Sequence, residues 1–142
     1  MNSRLAEIEL PEFGMPDAMP QLPDSMYRDR LARLRSRMAS AAWEHVLVYA
    51  DREHSANLSY LTGFDPRFEE AMLIVGLSGD PAILVGNECR GMAAAAPLAM
   101  RPVMFQDFSL PGQPRDQSQS LEELLATEGI ADSPTPPPGN SA

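Results

Sequence analysis

A chain of 142 residues with 44% hydrophobic side chains suffices for one domain with a real core. Its net charge of −9 and pI near 4.6 exclude nucleic acid and anionic membrane as natural partners, because both select basic faces. All eleven positive charges are arginine and Cys89 is the sole cysteine, which excludes Schiff-base lysine chemistry, a P-loop lysine, an internal disulfide and a thiolate zinc cage.

Residues 1–23 carry prolines at 11, 16, 20 and 23, a spacing that prevents helix and predicts an extended arm over the domain or a partner subunit. The N-terminus lacks the basic-then-apolar order of a signal peptide, and no run approaches the roughly 18 apolar residues of a membrane span, so the cytoplasm is the expected compartment. The foldable part is 24–130. Tyr27, Leu31, Leu34, Met38 and Ala41 recur on one stripe, which predicts an amphipathic helix over 25–42 capped by Asp24 or Ser25. HVLVYA (45–50) reads as a buried strand. DREHSANLSYLTGF reads as a loop and short helix, capped by Asp51 or Ser55 and stopped near Gly63.

The runs 70–77 and 81–86, joined by SGDP, predict a β-hairpin. ECRGMAAAAPLA suggests a helix weakened by Gly91 and ended near Pro97, PVMF (102–105) a fourth strand, and Leu121, Leu124 and Leu125 a last helix to about Glu128. These elements predict an α/β domain, a mixed sheet of four to five strands with one hairpin, flanked by helices. Residues 131–142 hold four prolines and no large apolar side chain, and are expected to be disordered. The strand that normally follows a helix ending in EGI is expected to be missing.

Chemistry is sparse. His45 opens a strand, where packing or exposure at the sheet end is its expected role. His54 lies in DREH beside Asp51 and Glu53, too close in sequence for one ion to be wrapped by protein-fixed ligands, so no metal site is expected from this chain. Cys89 reads as a plain, partly buried thiol. No GxSxG, GxGxxG or GxxxxGK[ST] pattern occurs, so no catalytic residue is assigned. The segment NLSYLTGFDPRFEEAMLIV (57–75) is the richest, with Asp65, Arg67, Glu69 and Glu70 set around Phe64 and Phe68. In one reading Tyr60, Leu61 and Phe64 pack a helix onto the sheet and Arg67 pairs with Asp65, Glu69 or Glu70 in a solvated loop. In the other, the same loop on a rigid sheet edge contacts a partner or a polar ligand, with His54 as a further contact residue.

The stretch from Tyr27 to Glu88 resembles the N-terminal domain of the creatinase, prolidase and aminopeptidase P family. The resemblance rests on Tyr27, Arg30 and Leu34 in the helix, then Asn57, Tyr60, Leu61, Thr62, Gly63 and Phe64. FSLPGQPRDQSQSLEELLATEGI also looks like the bacterial Xaa-Pro peptidase-like branch, so the likeness covers about 24 to 130. It implies a creatinase N-terminal-like mixed α/β layer ahead of a larger pita-bread catalytic domain. In the family that domain holds two divalent metal ions through Asp, Asp, His, Glu and Glu, and cleaves before proline or acts on creatine-like substrates. The N-terminal domain implied here makes homo-oligomer contacts, and a loop near the Tyr-Leu-Thr-Gly-Phe motif reaches the partner's active-site mouth. Carried over, Phe64, Asp65, Arg67 and Phe68 become the contact candidates. None of the family's metal ligands is matched in this sequence, so the expectation is a non-catalytic domain, without cofactor of its own, inactive alone and with an unpaired sheet edge. The proline-rich tail fits a shifted reading frame. A self-sufficient module that binds a small ligand or peptide through 64–70 is the alternative.

Overall fold

The computed structural model describes residues 7–12, 14, 15, 17, 18 and 22–130. The tail at 131–142 and much of the arm therefore lie outside the described residues. The element order is α1 (Asp24–Ser40), β1 (His45–Ala50), α2 (Ala56–Thr62), β2 (Ala71–Gly76), β3 (Ala82–Val85), α3 (Arg90–Ala94), β4 (Arg101–Met104), a 3-10 turn (Gln106–Phe108) and α4 (Leu121–Thr127). The strands form one mixed sheet in the order β1-β2-β3-β4. β1 and β2 are antiparallel with Val48 opposite Leu73, β2 and β3 form the expected hairpin with Leu73 opposite Ile83, and β3 and β4 are parallel.

Alternation along the strands divides the core in two. Ala50, Ala71, Leu73, Val75, Ile83 and Val85 face α1, α2 and α3, where Tyr27, Leu31, Met38, Leu58, Leu61 and Phe64 complete the larger cluster. Ile74, Ala82 and Leu84 face the other way and are covered by Phe105 and Leu124. The central strands are thus apolar on both faces. β1 differs, because its second face is left partly open.

Several local expectations are corrected by geometry. Helix α1 is preceded by Pro23 and has no side-chain cap; neither Asp24 nor Ser25 serves, since Asp24 already lies inside the helix. Ala41 ends the stripe exposed rather than packed, because the helix stops at Ser40 and Ala42 turns to φ 56. Helix α2 also lacks a side-chain cap. The Asp51 carboxylate instead accepts from the backbone N–H of Glu53 and His54 at 2.8 and 2.7 Å, forming an earlier turn. Helix α4 has the full capping box, with the Ser120 hydroxyl accepting from Glu123 N–H and the Glu123 carboxylate from Ser120 N–H.

Gly63 is fixed by two independent constraints. It ends α2 in the left-handed region at φ 73, and its Cα faces Pro97 so closely that a Cβ would lie 2.7 Å from Pro97 Cγ and 3.0 Å from Tyr27 Cζ. Thr62 sharpens the stop by donating to Leu58 O at 2.7 Å while accepting from Phe64 N–H at 3.0 Å. Gly63→Ala should therefore cost roughly 2–4 kcal/mol, read as a lower urea midpoint. An unchanged midpoint would show that neither constraint limits the fold.

Candidate functional site

The loop 64–70 leaves α2 and enters β2, and its residues divide sharply by depth. Phe64 points into the larger core cluster and Pro66 is fully buried. Asp65 is exposed and its Oδ1 accepts from Arg67 N–H at 2.9 Å, which closes an Asx turn. This turn holds Arg67 at φ 62, an unusual conformation for a side-chain-bearing residue. Phe68 is 50% exposed, a large aromatic surface beside a cation.

The expected pairing of Arg67 with Asp65, Glu69 or Glu70 is not what the geometry gives. The ion pairs among the described residues are His54–Asp51, Arg101–Glu128 and Arg115–Asp107. Glu69 is unavailable to Arg67 because it is turned inward, 2% exposed. Its carboxylate accepts from the backbone N–H of Glu88 at 3.1 Å and of Cys89 at 2.9 Å, the turn leading into α3. From the same loop Pro66 O accepts from Phe68 N–H at 2.7 Å and from the Cys89 thiol at 3.1 Å. Gly86 makes room for this, since a Cβ there would meet the Glu69 carboxylate and Ser109 Cα at 2.8 Å. Sequence reasoning grouped Glu69 with surface carboxylates. The signal that separates it from Glu70 is its distant partner set, which local sequence does not display.

His54 makes its contact with Asp51 at the end of β1. It is exposed, and its Nδ1 lies 3.0 Å from Asp51 Oδ1. That contact, then the Glu53 N–H, holds the Asp51 carboxyl below its ordinary value. Among the described residues no hydrogen bond or ion pair joins His54 to Asp65, Arg67 or Phe68. Among the described residues, too, no group of three His, Cys, Asp or Glu side chains is placed to hold a metal ion, and no helix is long and apolar enough to cross a membrane.

A second polar assembly braces the loop from behind. Gln106 donates to Asn87 Oδ1 at 2.8 Å and accepts from Gln117 N–H at 2.6 Å, while Asn87 donates to Pro114 O at 3.0 Å. Arg115 donates to Asp107 O and Ser109 O, both at 2.8 Å. The breaker-rich stretch after β4 is thereby stitched to the β3–α3 turn. Glu70 N–H donates to Phe108 O at 3.3 Å and joins the loop to the same brace.

Cys89 is a free, buried thiol. Burial first, and then the Glu69 carboxylate, pushes its thiol from 9.0 up to about 12. Partial desolvation and then the Glu70 and Asp51 carboxylates push the Tyr49 phenol up to about 12 as well. Both groups keep their protons in the native state at a pH where the unfolded chain has lost them. Stability is therefore unaffected below the unfolded thiol value and falls as pH rises from about 9 towards 12. Urea midpoints should decline over that window, and less steeply in Cys89→Ala; equal slopes would remove the thiol from the account. Glu69→Ala should cost about 3 kcal/mol at neutral pH, because one buried and one part-buried N–H group lose their charged acceptor. A chain as stable as the parent would sink the bracing role.

No curated protein matches the chain. Among solved structures it is similar to the dipeptidase PepE from Mycobacterium ulcerans, with 17% identity over 78% of this chain and a TM-score of 0.47. It is also similar to a Creatine_N superfamily domain of a dipeptidase from Streptococcus thermophilus, with 22% identity over 64% of this chain and a TM-score of 0.42. The chain spans 34% of the first of these structures and 62% of the second. The Creatinase/Prolidase N-terminal domain profile matches residues 30–131, most of the chain, which therefore belongs to that family.

Proposed function

We propose that this chain is the non-catalytic N-terminal domain of an Xaa-Pro peptidase-like metallohydrolase of the cytoplasm, acting in subunit contact. The two divalent metals of that chemistry would be held by a separate catalytic domain. The contact is made by the exposed part of the 64–70 loop, where Asp65, Arg67 and Phe68 complete the mouth of a partner's active site. Phe64 anchors the loop in the core, and His54 with Asp51 forms a flanking polar contact. The observation that carries the reading is the separation of the loop into a buried, hydrogen-bonded inner side and an exposed Arg67–Phe68 tip. A tip held on a rigid base presents a cation and an aromatic with little ordering cost on binding.

A stand-alone module that binds a small polar or peptide ligand is the second reading. It is favoured by Arg67, which has no carboxylate partner among the described residues. The two readings separate experimentally. The nucleotide sequence past the Ile130 codon, read in all three frames, should encode a Gly/Val-rich strand and then Asp, Asp, His, Glu and Glu ligands. In the protein carrying that catalytic domain, Arg67→Ala with Phe68→Ala should raise KM for Xaa-Pro dipeptides about tenfold at unchanged metal content. Saturable dipeptide binding by the lone chain, weakened by Arg67→Ala, would select the second reading instead. Metal-dependent turnover by the pure lone chain would overturn both.

A further inference from the structure

The edge of β1 is the least protected part of the sheet. Among the described residues β1 bonds only to β2, so every second residue of its six directs N–H and C=O outward. The opposite edge, β4, is four residues long and carries Pro102, which has no N–H to offer. β1, with the sequence HVLVYA, has no proline, arginine or carboxylate of the kind that blunts natural edges. A groove of about 580 Å³ runs beside it, bounded by β1, by Arg33 and Arg37 of α1, and by Tyr60 of α2.

The charges of this groove are distinctive. Arg30 is already engaged, donating to Tyr60 O at 2.7 Å with its guanidinium 4.1 Å over the Tyr60 ring. Arg33 and Arg37 are exposed and have no carboxylate partner among the described residues. On the sheet's other face Leu47 and Tyr49 remain 42% and 46% exposed. The groove thus asks for an extended segment that is acidic on its helix side and apolar on its other side.

The chain itself contains such a segment. Residues 7–10 read Glu-Ile-Glu-Leu, a strict alternation, with Ile8 and Leu10 exposed at 74% and 79%. In a strand Glu7 and Glu9 are about 6.6 Å apart along the chain, and Arg33 and Arg37, one helical turn apart, are separated by about 6 Å. Paired on β1, the two glutamates meet the two arginines while Ile8 and Leu10 lie beside Leu47 and Tyr49. We propose that residues 7–10 of a second copy of this chain add to the β1 edge as a fifth strand, and that two chains exchange these arms reciprocally. The occupant is a second copy because the single chain leaves Ile8 and Leu10 off its own edge, and four prolines between 11 and 23 resist a tight reversal. Reciprocal exchange fills both free edges under two-fold symmetry.

Sedimentation velocity of the full chain over a micromolar to near-millimolar series at low salt tests this. The parent chain should dimerise, and both Glu7→Arg/Glu9→Arg and Arg33→Glu/Arg37→Glu should weaken the dimer at least about tenfold. Mixing the two reversed variants should restore it, because each edge then meets an arm of opposite charge on the other chain. Far-UV circular dichroism checks that these surface variants fold. Hydrogen exchange of the parent provides the second readout, with β1 amides gaining protection as concentration rises. A parent that stays monomeric overturns the proposal, as does a dimer indifferent to arm reversal, which would mean β1-to-β1 pairing or another face. Arm-dependent β1 protection that is independent of concentration would place the arm on its own edge, and overturns it equally.

Discussion

The buried carboxylate of Glu69 is the constraint around which the sheet end is organised. It lies just before β2, yet its two acceptor contacts are on the turn after β3. A carboxylate taken out of water is tolerable only when donors replace its hydration, and the N–H groups of Glu88 and Cys89 do so in a charge-assisted geometry. Gly86 and the Cys89 thiol are consequences of that placement. The first has no side chain because the carboxylate occupies its space, and the second is held under Pro66 O where its proton is difficult to remove.

The same placement sets the character of the loop above it. With Glu69 and Pro66 anchored, the 64–70 segment has little freedom, and only Asp65, Arg67, Phe68 and Glu70 reach solvent. The Asx turn at Asp65 then commits Arg67 to a left-handed backbone conformation. A strained residue held by surrounding packing is a feature that functional loops share. Behind it, Asn87, Gln106 and Arg115 supply a polar brace built largely from side-chain bonds to backbone carbonyls and N–H groups.

The sheet is asymmetric in what covers it. β2 and β3 are enclosed by helices on one face and by Phe105 and Leu124 on the other. β1 lies at the margin, packed through Val46 and Val48 on the helix side but open around Leu47 and Tyr49. An apolar, proline-free margin is costly to leave exposed, and the arginines of α1 beside it give the surrounding groove a sign opposite to that of the whole chain. Family membership fixes the domain type, while the open margin and the exposed loop tip are properties of the particular residues.

The element order, the hairpin, the stop at Gly63 and the family pattern around Asn57, Tyr60 and Phe64 were all legible in the sequence. The first three depend on local periodicity and turn chemistry, whose signals span only a few neighbouring residues, and the last rests on resemblance to a known family. Element ends were less legible, as the uncapped starts of α1 and α2 show, because a good capping residue still has to meet the right backbone angles. The depth of Glu69 was not legible, although the packing of Phe64 and the exposure of Arg67 were. Glu69 and Glu70 are adjacent and chemically identical, and one is buried while the other is exposed. Only tertiary structure decides between them, because the donors that make burial of Glu69 favourable arrive from residues 19 and 20 positions further along the chain.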